Sequence, residues 1–319
     1  MIQIISVSKT FKQPKKVVQA LSDISITIPN GEVYGLIGVN GSGKTTLAKI
    51  MATLLIQDSG EIVINNISVR KYPEKIKRLI GLSLGEGRSF YFRLTAEQNL
   101  EFFGTMLEIP PKLLKGKINE LLELFDLMSS KKTPYMEYSS GMKRKLDLAR
   151  AMMAYPEIYL LDEPTNGIDP LSQDRIRKTI HELKRNGKTV FLITHNLYEA
   201  NLLCDRVGIL DQGKLLWQGT TKDFEDFKET FILELSVTNL LLEQDVIDLQ
   251  NIPIVKKIIQ TEDEINHKHQ LQVFFSKKDI GLDFILEKIA SKNIGITDIH
   301  FLTPTIEDIF REFVKGKEN

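Results

Sequence analysis

Short apolar runs alternate with helical spacings of apolar residues over roughly the first two-thirds of the chain. Runs rich in Val, Ile, Leu and Phe at Val33–Ile37, Ile158–Leu161 and Thr189–Thr194 are each followed within a few residues by such a helical spacing. This alternation is typical of βαβ units and predicts a mainly parallel, buried sheet. The earlier segments Ile2–Ser6 and Val18–Ile28 predict antiparallel strands instead.

A helical pattern replaces this alternation between about residues 90 and 155. Three stretches carry the apolar spacing of a helix, namely Thr95–Leu107, Lys112–Met128 and Gly141–Ala154. We interpret the region as a helical subdomain inserted into an α/β domain that spans residues 1–225. The predicted fold class is therefore α/β, with a mainly parallel sheet, an antiparallel β subdomain and a helical insertion.

The character of the chain changes after Gly219, where Ile, Asp and Lys become more frequent. Thr220–Glu229 predicts a charged helix, and strand-like runs then alternate with helical ones. The predicted strands are Phe231–Val237, Gln270–Phe275 and Ile296–Leu302, and the predicted helices are Leu282–Ser291 and Thr305–Val314. Residues 226–319 are thus predicted to form a separate small α+β domain.

The net charge gives only weak evidence about which classes of function can be excluded. Lys plus Arg and Asp plus Glu each number 42, so the formal net charge is zero, without the basic excess of many nucleic-acid binders. The single cysteine, Cys204, excludes an intramolecular disulfide and fits a reducing compartment. We find neither a signal-peptide pattern nor an apolar run of about 18 residues. If the protein works at a membrane, another chain is expected to supply the spanning part.

The octapeptide Gly38–Thr45 fits the phosphate-binding pattern G-x-x-x-x-G-K-[ST]. Its glycines permit positive φ and let backbone N–H groups turn towards an anion, which the start of the following helix also attracts. Lys44 adds a charge for the β- and γ-phosphates of ATP, and the Thr45 hydroxyl can bind Mg²⁺. A glycine-rich turn without a ligand is the alternative, but the predicted strand Val33–Ile37 before the loop and the predicted helix Thr45–Leu55 after it favour ATP and make this α/β domain a P-loop NTPase core. The predicted nucleotide contacts are Gly38, Asn40, Gly41, Ser42, Gly43, Lys44, Thr45 and Thr46.

Two acids, Asp162 and Glu163, end the apolar run Ile158–Leu161. Buried parallel strands end at the edge where ligands bind, so both acids are expected to face the nucleotide. We predict that Asp162 holds Mg²⁺, directly or through water, and that Glu163 polarises the attacking water as general base. The next apolar strand leads to His195, which we predict to sense the γ-phosphate; a lone histidine is more often structural.

Together these elements resemble the nucleotide-binding subunit of ATP-binding-cassette (ABC) transporters over about residues 1–220. The segment Tyr138-Ser139-Ser140-Gly141-Met142 stands where the family has its L-S-G-G-Q signature. The resemblance implies that Ser139, Ser140 and Gly141 of one subunit close over ATP held by a second copy, in a head-to-tail homodimer. It also implies that Asp169, in the D-loop segment Asn166–Asp169, lies at the dimer seam. Phe11 falls where the family stacks an aromatic ring on adenine, although a core phenylalanine is the competing interpretation.

The sequence departs from the family pattern at two motifs. In the signature, Tyr138 replaces Leu, Ser140 replaces the first Gly and Met142 replaces Gln. The Q-loop position, where the family has a Gln that touches Mg²⁺ and the attacking water, falls at Gly85 or Glu86. Either Glu86 substitutes as a carboxylate ligand of Mg²⁺, or this loop senses the nucleotide differently.

The stretch Thr303–Phe310 resembles the P-S-L-E-D-V-F element of separately encoded exporter ATPases for drugs, antibiotics and sodium. The resemblance implies an ATP-hydrolysing subunit whose closure as a dimer drives a separately encoded transmembrane permease. That permease would dock near the Arg88–Leu100 loop and hold the subunit at the cytoplasmic face of the cell membrane. No nucleic-acid partner is expected.

Two other functions stay open. One is a non-transport cassette ATPase that acts on ribosomes or DNA. Three features argue against it: the single cassette, the lack of sustained heptads and the single cysteine. The other is an importer ATPase, against which the helix-containing C-terminal domain counts.

Overall fold

The computed structural model describes residues 1–13, 16–84, 90–222, 230–253, 255–263, 268–276, 282–292 and 294–302. The chain divides into two compact units, Met1–Thr221 and Lys222–Asn319.

The first unit combines strands and helices in the alternation that the apolar pattern indicates. Its strands are β1 (Ile2–Gln13), β2 (Lys16–Ile28), β3 (Val33–Ile37), β4 (Ser59–Ile64), β5 (Ile67–Ser68), β6 (Ile80–Ser83), β7 (Ile158–Asp162), β8 (Thr189–Thr194), β9 (Arg206–Asp211) and β10 (Lys214–Thr220). Its helices are α1 (Lys44–Met51), α2 (Pro73–Leu79), α3 (Ala96–Met106), α4 (Pro111–Leu124), α5 (Ser140–Ala151), α6 (Pro170–Arg185) and α7 (Leu197–Leu203).

A six-stranded sheet in the order β10-β9-β3-β8-β7-β6 runs through this unit. Neighbouring strands are parallel except for the β9–β10 hairpin. Every residue of β3, β7 and β8 is buried, as expected for parallel strands that are covered on both faces. The predicted parallel sheet is confirmed, and β3 and β8 have the predicted bounds. The β9–β10 hairpin was not predicted, because β10 is mostly half-exposed and lacks a continuous apolar run.

A second sheet, in the order β2-β1-β4-β5, is antiparallel throughout. The predicted strands Ile2–Ser6 and Val18–Ile28 are confirmed as parts of the longer β1 and β2. One apolar core joins this sheet to α1 and the parallel sheet, and it includes Ile2, Ile26, Leu47, Leu36 and Leu210. This shared core fixes the antiparallel sheet beside the loop that follows β3.

The inserted helices α3, α4 and α5 pack against one another. A capping box starts α3, because the Thr95 hydroxyl accepts from the Gln98 N–H and the Gln98 side chain accepts from the Thr95 N–H. Three predicted helices were too long at their C-terminal ends, and one of them is α5, which ends at Ala151 and not at Ala154. The helix predicted to reach Met128 ends at Leu124 because Asp126 takes a positive φ. The helix predicted to reach Leu55 ends at Met51 because Thr53 also takes a positive φ.

The second unit is a separate α+β structure. Its antiparallel sheet has the order β12-β13-β11-β14, and its strands are β11 (Thr230–Val237), β12 (Val255–Asp263), β13 (Lys268–Ser276) and β14 (Ile296–Leu302). Helices α8 (Glu243–Gln250) and α9 (Leu282–Ala290) belong to the same unit. The three strands and the helix near Leu282 are confirmed. Thr220, predicted to start a helix, is instead the last residue of β10, and most of that helix and the predicted helix Thr305–Val314 lie outside the described residues.

Candidate active site

The loop between β3 and α1 has glycine at positions where another residue would not fit. Gly41 and Gly43 have φ values of 82° and 111°. A Cβ on Gly38 would lie 2.1 Å from the Leu210 carbonyl oxygen, and one on Gly43 would lie 2.3 Å from the Ala20 carbonyl oxygen. The loop therefore leaves no room for side chains at Gly38 and Gly43, and it leads directly into α1.

Helix α1 begins after Gly43, which makes no side-chain hydrogen bond to the first turn in the described structure. The first N–H groups of a helix have no partner within the helix, and here they include those of Lys44, Thr45 and Thr46. A helix start of this kind is suited to an anion such as phosphate.

Lys44 lies inside the loop. Its side chain is buried, and Nζ donates to the carbonyl oxygens of Gly38 and Val39 at 2.7 and 2.8 Å. Burial lowers the pKa of Lys44, while the nearby carboxylates of Asp162 and Glu163 oppose that shift. An ammonium has three N–H donors, so one remains for an anion beside the loop.

Ser42 also fits an oxyanion ligand. Its side chain is 2% exposed, and its hydroxyl has no hydrogen-bond partner in the described part of the chain. The Ser42 carbonyl accepts from the Gly213 N–H at 2.9 Å, and the Gly213 carbonyl accepts from the Ser22 N–H at 2.7 Å. The backbone of the loop is therefore hydrogen-bonded to the β9–β10 turn, which is itself bonded to strand β2. The buried Ser42 hydroxyl is not used in these bonds.

Thr45 and Asp162 meet across the gap between α1 and β7. The Thr45 hydroxyl donates to Asp162 Oδ2 at 2.7 Å, and Asp162 is 9% exposed. Burial raises the pKa of Asp162, and the hydrogen bond from Thr45 opposes that shift. The described residues contain no cluster of three metal-ligating side chains. A hydroxyl and a carboxylate oxygen suit Mg²⁺, which is commonly held by one or two protein oxygens together with substrate phosphates and water.

Glu163 has an unusual backbone conformation and two side-chain partners. Its φ is 48°, a left-handed value that costs energy for a residue other than glycine. Its N–H donates to the Ile193 carbonyl at 2.8 Å. Glu163 Oε1 lies 2.6 Å from His195 Nδ1, and Oε2 accepts from Asn166 Nδ2 at 2.6 Å. The structure thus brings Glu163 and His195 together, as the strand-end argument implied.

The signature and D-loop residues lie at two other helix starts. Ser139 caps α5 by accepting from the Met142 N–H at 3.2 Å, and Ser139 and Ser140 are exposed. A Cβ on Gly141 would lie 3.4 Å from the Gly167 carbonyl oxygen, so the signature adjoins the D-loop. Asp169 caps α6 by accepting from the Ser172 N–H at 3.0 Å.

Phe11 lies on β1, where it pairs with Val18 of β2 and is half-buried. The Lys9 ammonium lies 5.6 Å from the centre of its ring. Two residues further along β2, the Ala20 carbonyl borders Gly43. Phe11 is therefore on the strand pair that flanks the phosphate loop. Gly85 and Glu86 lie outside the described residues.

Two groups of polar residues near the site were not predicted from the sequence. Asn166 was noted only as part of the D-loop, yet it binds the Glu163 carboxylate. Asp147 and Arg150 of α5 lie next to the end of β6, where Ser83 donates to Asp147 and Arg150 donates to the Leu82 carbonyl. The buried Asp147 within a helical apolar face was the available signal for the second group.

Comparisons with known proteins agree with this geometry. The sequence profile of the family described as ABC transporter matches residues 21–166. The ABC transporter ATP-binding protein NatA of Bacillus subtilis is 34% identical over 74% of this chain and 98% of its own length. The daunorubicin resistance ATP-binding protein DrrA3 of Streptomyces coeruleorubidus is 30% identical over 92% of this chain and 90% of its own.

The chain belongs to the ATP-binding subunits of ABC transporters. It is an ATPase subunit of the exporter type. Among solved structures, the dimeric ABC transporter cassette MJ0796 superimposes with a TM-score of 0.65 and 26% identity over 69% of this chain and 99% of that chain. The same cassette has been solved as a dimer in a post-hydrolysis state bound to ADP and phosphate. The predicted family and ATPase activity of this ABC subunit are thereby confirmed, while the roles of its individual residues stay predictions.

Proposed function

We propose that Glu163 of this ABC subunit activates the water that attacks the γ-phosphate of ATP, and that His195 and Asn166 aim its carboxylate. The observation that carries this proposal is the pair of 2.6 Å contacts that hold both Glu163 oxygens. An ionised carboxylate only accepts hydrogen bonds, so His195 Nδ1 carries the proton that faces Glu163. The other ring nitrogen of His195, which is half exposed, is left to face the substrate.

The phosphate loop would hold the substrate. Backbone donors from Gly38 to Thr46, the Lys44 ammonium and the unpartnered Ser42 hydroxyl supply contacts for phosphate oxygens. Thr45 and Asp162 would hold Mg²⁺, which neutralises phosphate charge when bound. The 2.7 Å contact between their oxygens supports a shared cation site. Stacking of Phe11 on adenine is supported by its place on the strand pair beside Gly43.

Glu163→Gln tests the hydrolytic role, with Glu157→Gln, an exposed acid just before β7, as the matched control. We expect Glu163→Gln to lower kcat about 100-fold or more while ATP still binds, because general-base catalysis contributes about 10²–10⁴-fold. Glu157→Gln should keep the parental kcat. If Glu163→Gln hydrolyses ATP at the parental rate, the role given to Glu163 is wrong.

We further propose that two copies pair head-to-tail, so that Ser139, Ser140 and Gly141 of one copy complete the ATP site of the other, with Asp169 at the seam. The exposure of Ser139 and Ser140 and the dimers formed by the cassette MJ0796 support this arrangement. Mixing Lys44→Ala with Ser139→Ala subunits tests it. In a mixed dimer one site combines both changes and the other combines neither. Random pairing should therefore restore about a quarter of the parental activity. Activity that stays at the sum of the two variants would contradict the composite site.

A separately encoded permease is the proposed partner, and it would place the subunit at the cytoplasmic face of the membrane. The helices in the described part of the chain include none that is long and apolar enough to span a membrane. Four exposed apolar side chains, of Tyr91, Phe92, Phe102 and Met136, form a candidate docking patch. The rings of Tyr91 and Phe102 are 4.8 Å apart, and the Met136 N–H donates to the Phe92 carbonyl at 3.0 Å.

Phe92→Ser tests the docking patch, and Leu113→Ser on α4 is the control because Leu113 is also exposed. We expect Phe92→Ser to reduce copurification with the permease and to leave the ATPase rate of the isolated subunit unchanged. Equal recovery of the permease with both variants would count against this patch.

A further inference from the structure

Glu199 is a buried carboxylate that has no part in the chemistry described so far. It lies in the first turn of α7 and is 2% exposed. Its Oε1 accepts from the Thr165 hydroxyl at 2.5 Å, and its Oε2 accepts from the Thr194 hydroxyl at 3.0 Å. Its N–H donates to Asn196 Oδ1 at 3.1 Å. Both carboxylate oxygens are therefore bound by hydroxyls from two different segments.

These hydrogen bonds have one possible direction when Glu199 is ionised. A carboxylate only accepts, so both threonine hydroxyls must donate to it. The Thr194 oxygen in turn accepts from the Asn196 N–H at 3.0 Å, which satisfies its acceptor side. Removing a carboxylate from water is costly unless it is well hydrogen-bonded, and the N-terminal turn of α7 also favours a negative charge. The two threonine hydroxyls therefore match the two acceptor oxygens of an ionised carboxylate at position 199.

The two threonines belong to the segments that carry Glu163 and His195. Thr165 follows Glu163 by two positions, and Thr194 directly precedes His195. Glu199 therefore joins the segment after β7 to the end of β8, next to the 2.6 Å contact between Glu163 and His195. Gln173 of α6 extends the connection, because its amide donates to the carbonyl oxygens of Thr165 and Ile168 at 3.2 Å.

We infer that Glu199 is a positioning residue, which keeps Glu163 and His195 in hydrolytic geometry by holding Thr165 and Thr194. The inference rests on the proposed function of Glu163 and His195. It assigns Glu199 no contact with ATP, so its loss should lower kcat and leave ATP binding largely intact. Small displacements of a catalytic group are enough for such an effect, because about 1 Å of misplacement can cost about 100-fold in rate.

The first experiment compares three variants of the full chain. Glu199→Gln and Thr165→Val remove the carboxylate charge and one hydroxyl. Thr189→Val is the control, since Thr189 is a buried threonine at the other end of β8 whose hydroxyl accepts from the Gly31 N–H. We expect the first two variants to lower kcat about tenfold with less than about a twofold change in KM for ATP. The control should lose thermal stability alone. A comparable loss of kcat in Thr189→Val would overturn the inference, because general loosening of β8 would then explain the effect.

The second experiment asks whether Glu199 acts through Glu163 and His195. If it does, adding Glu199→Gln to the Glu163→Gln/His195→Ala double variant should lower the residual kcat less than about twofold further, since groups that act as a unit are not additive. Independent effects that multiply would overturn the inference. Glu163→Gln, measured alongside, separates the two hypotheses. An inactive Glu163→Gln with a fully active Glu199→Gln refutes only the role of Glu199, whereas an active Glu163→Gln refutes the proposed function itself.

Discussion

Two Asp–Arg pairs in the first unit have the same local geometry and differ in burial. On α5, Arg150 lies 2.8 Å from Asp147, three residues earlier, and the Asp147 side chain is 4% exposed. On α6, Arg177 lies 2.8 Å from Asp174, also three residues earlier, and the Asp174 side chain is 64% exposed. Asp147→Asn and Asp174→Asn therefore make the same chemical change at the same distance in two environments.

The structure sets the expected sizes of the two losses. Asp147 also accepts from the Ser83 hydroxyl at 2.7 Å, and a hydrogen bond to a charged group contributes about 1.5–3 kcal/mol. Arg150 keeps its bond to the Leu82 carbonyl and its contacts with the Phe90 and Phe103 rings, so Asp147→Asn does not release it. We expect Asp147→Asn to cost about 2 kcal/mol. Asp174→Asn should cost less than about 0.5 kcal/mol, as is common for exposed pairs.

Thermal unfolding of the purified variants measures this difference. For a unit of this size, 1 kcal/mol shifts the melting temperature by about 2–4 °C. Asp147→Asn should therefore lower the melting temperature by about 4–8 °C, and Asp174→Asn by less than about 2 °C. Equal shifts in the two variants would refute the reasoning, because burial would then not decide the strength of these pairs.

Four further predictions concern the phosphate loop, helix α4, the cation site and the cysteine. Gly38→Ala should weaken ATP binding at least about tenfold, because its Cβ would lie 2.1 Å from the Leu210 carbonyl. In contrast, Gly116→Ala in α4, where a Cβ meets nothing within 4 Å, should add about 0.5–1 kcal/mol of stability. Nucleotide titration checks the first variant, and thermal melting curves check the second. Burial raises the pKa of Asp162, so Mg²⁺-dependent ATP binding should weaken as the pH falls through that raised pKa and Asp162 takes up a proton. Calorimetry across pH measures this, and a pH dependence unchanged in Asp162→Asn would contradict it. Burial raises the pKa of the Cys204 thiol, so alkylation of Cys204 should stay slow in the folded protein even as the pH rises. In urea the same alkylation should be fast. Equal alkylation rates in the folded and the urea-unfolded protein would refute this.

Much of the fold could be predicted because its signals are local. The strands β3, β7 and β8 are continuous apolar runs, since parallel strands covered on both faces have no polar side. Helix ends were harder to predict. Asp126 and Thr53 end helices through positive φ values, and neither residue type imposes that conformation by itself.

The phosphate loop was also readable from the sequence, because its chemistry lies in one continuous stretch. Glycine at positions 41 and 43 permits the positive φ values found there, and Lys44 follows at the start of α1. The requirement for glycine at position 38 cannot be seen from the neighbouring sequence. The atom that excludes a side chain there belongs to Leu210 of β9.

The hydrolytic part of the site depends on tertiary structure. The sequence by itself determined that acids end β7 and that a histidine follows β8. The parallel register that pairs Asp162 with Ile193 decided that Glu163 and His195 meet, and the fold added Asn166 and the buried Glu199 to them. Backbone propensity and apolar spacing act over a few residues, whereas hydrogen bonds between strand ends depend on register and burial, which only the packed sheet sets.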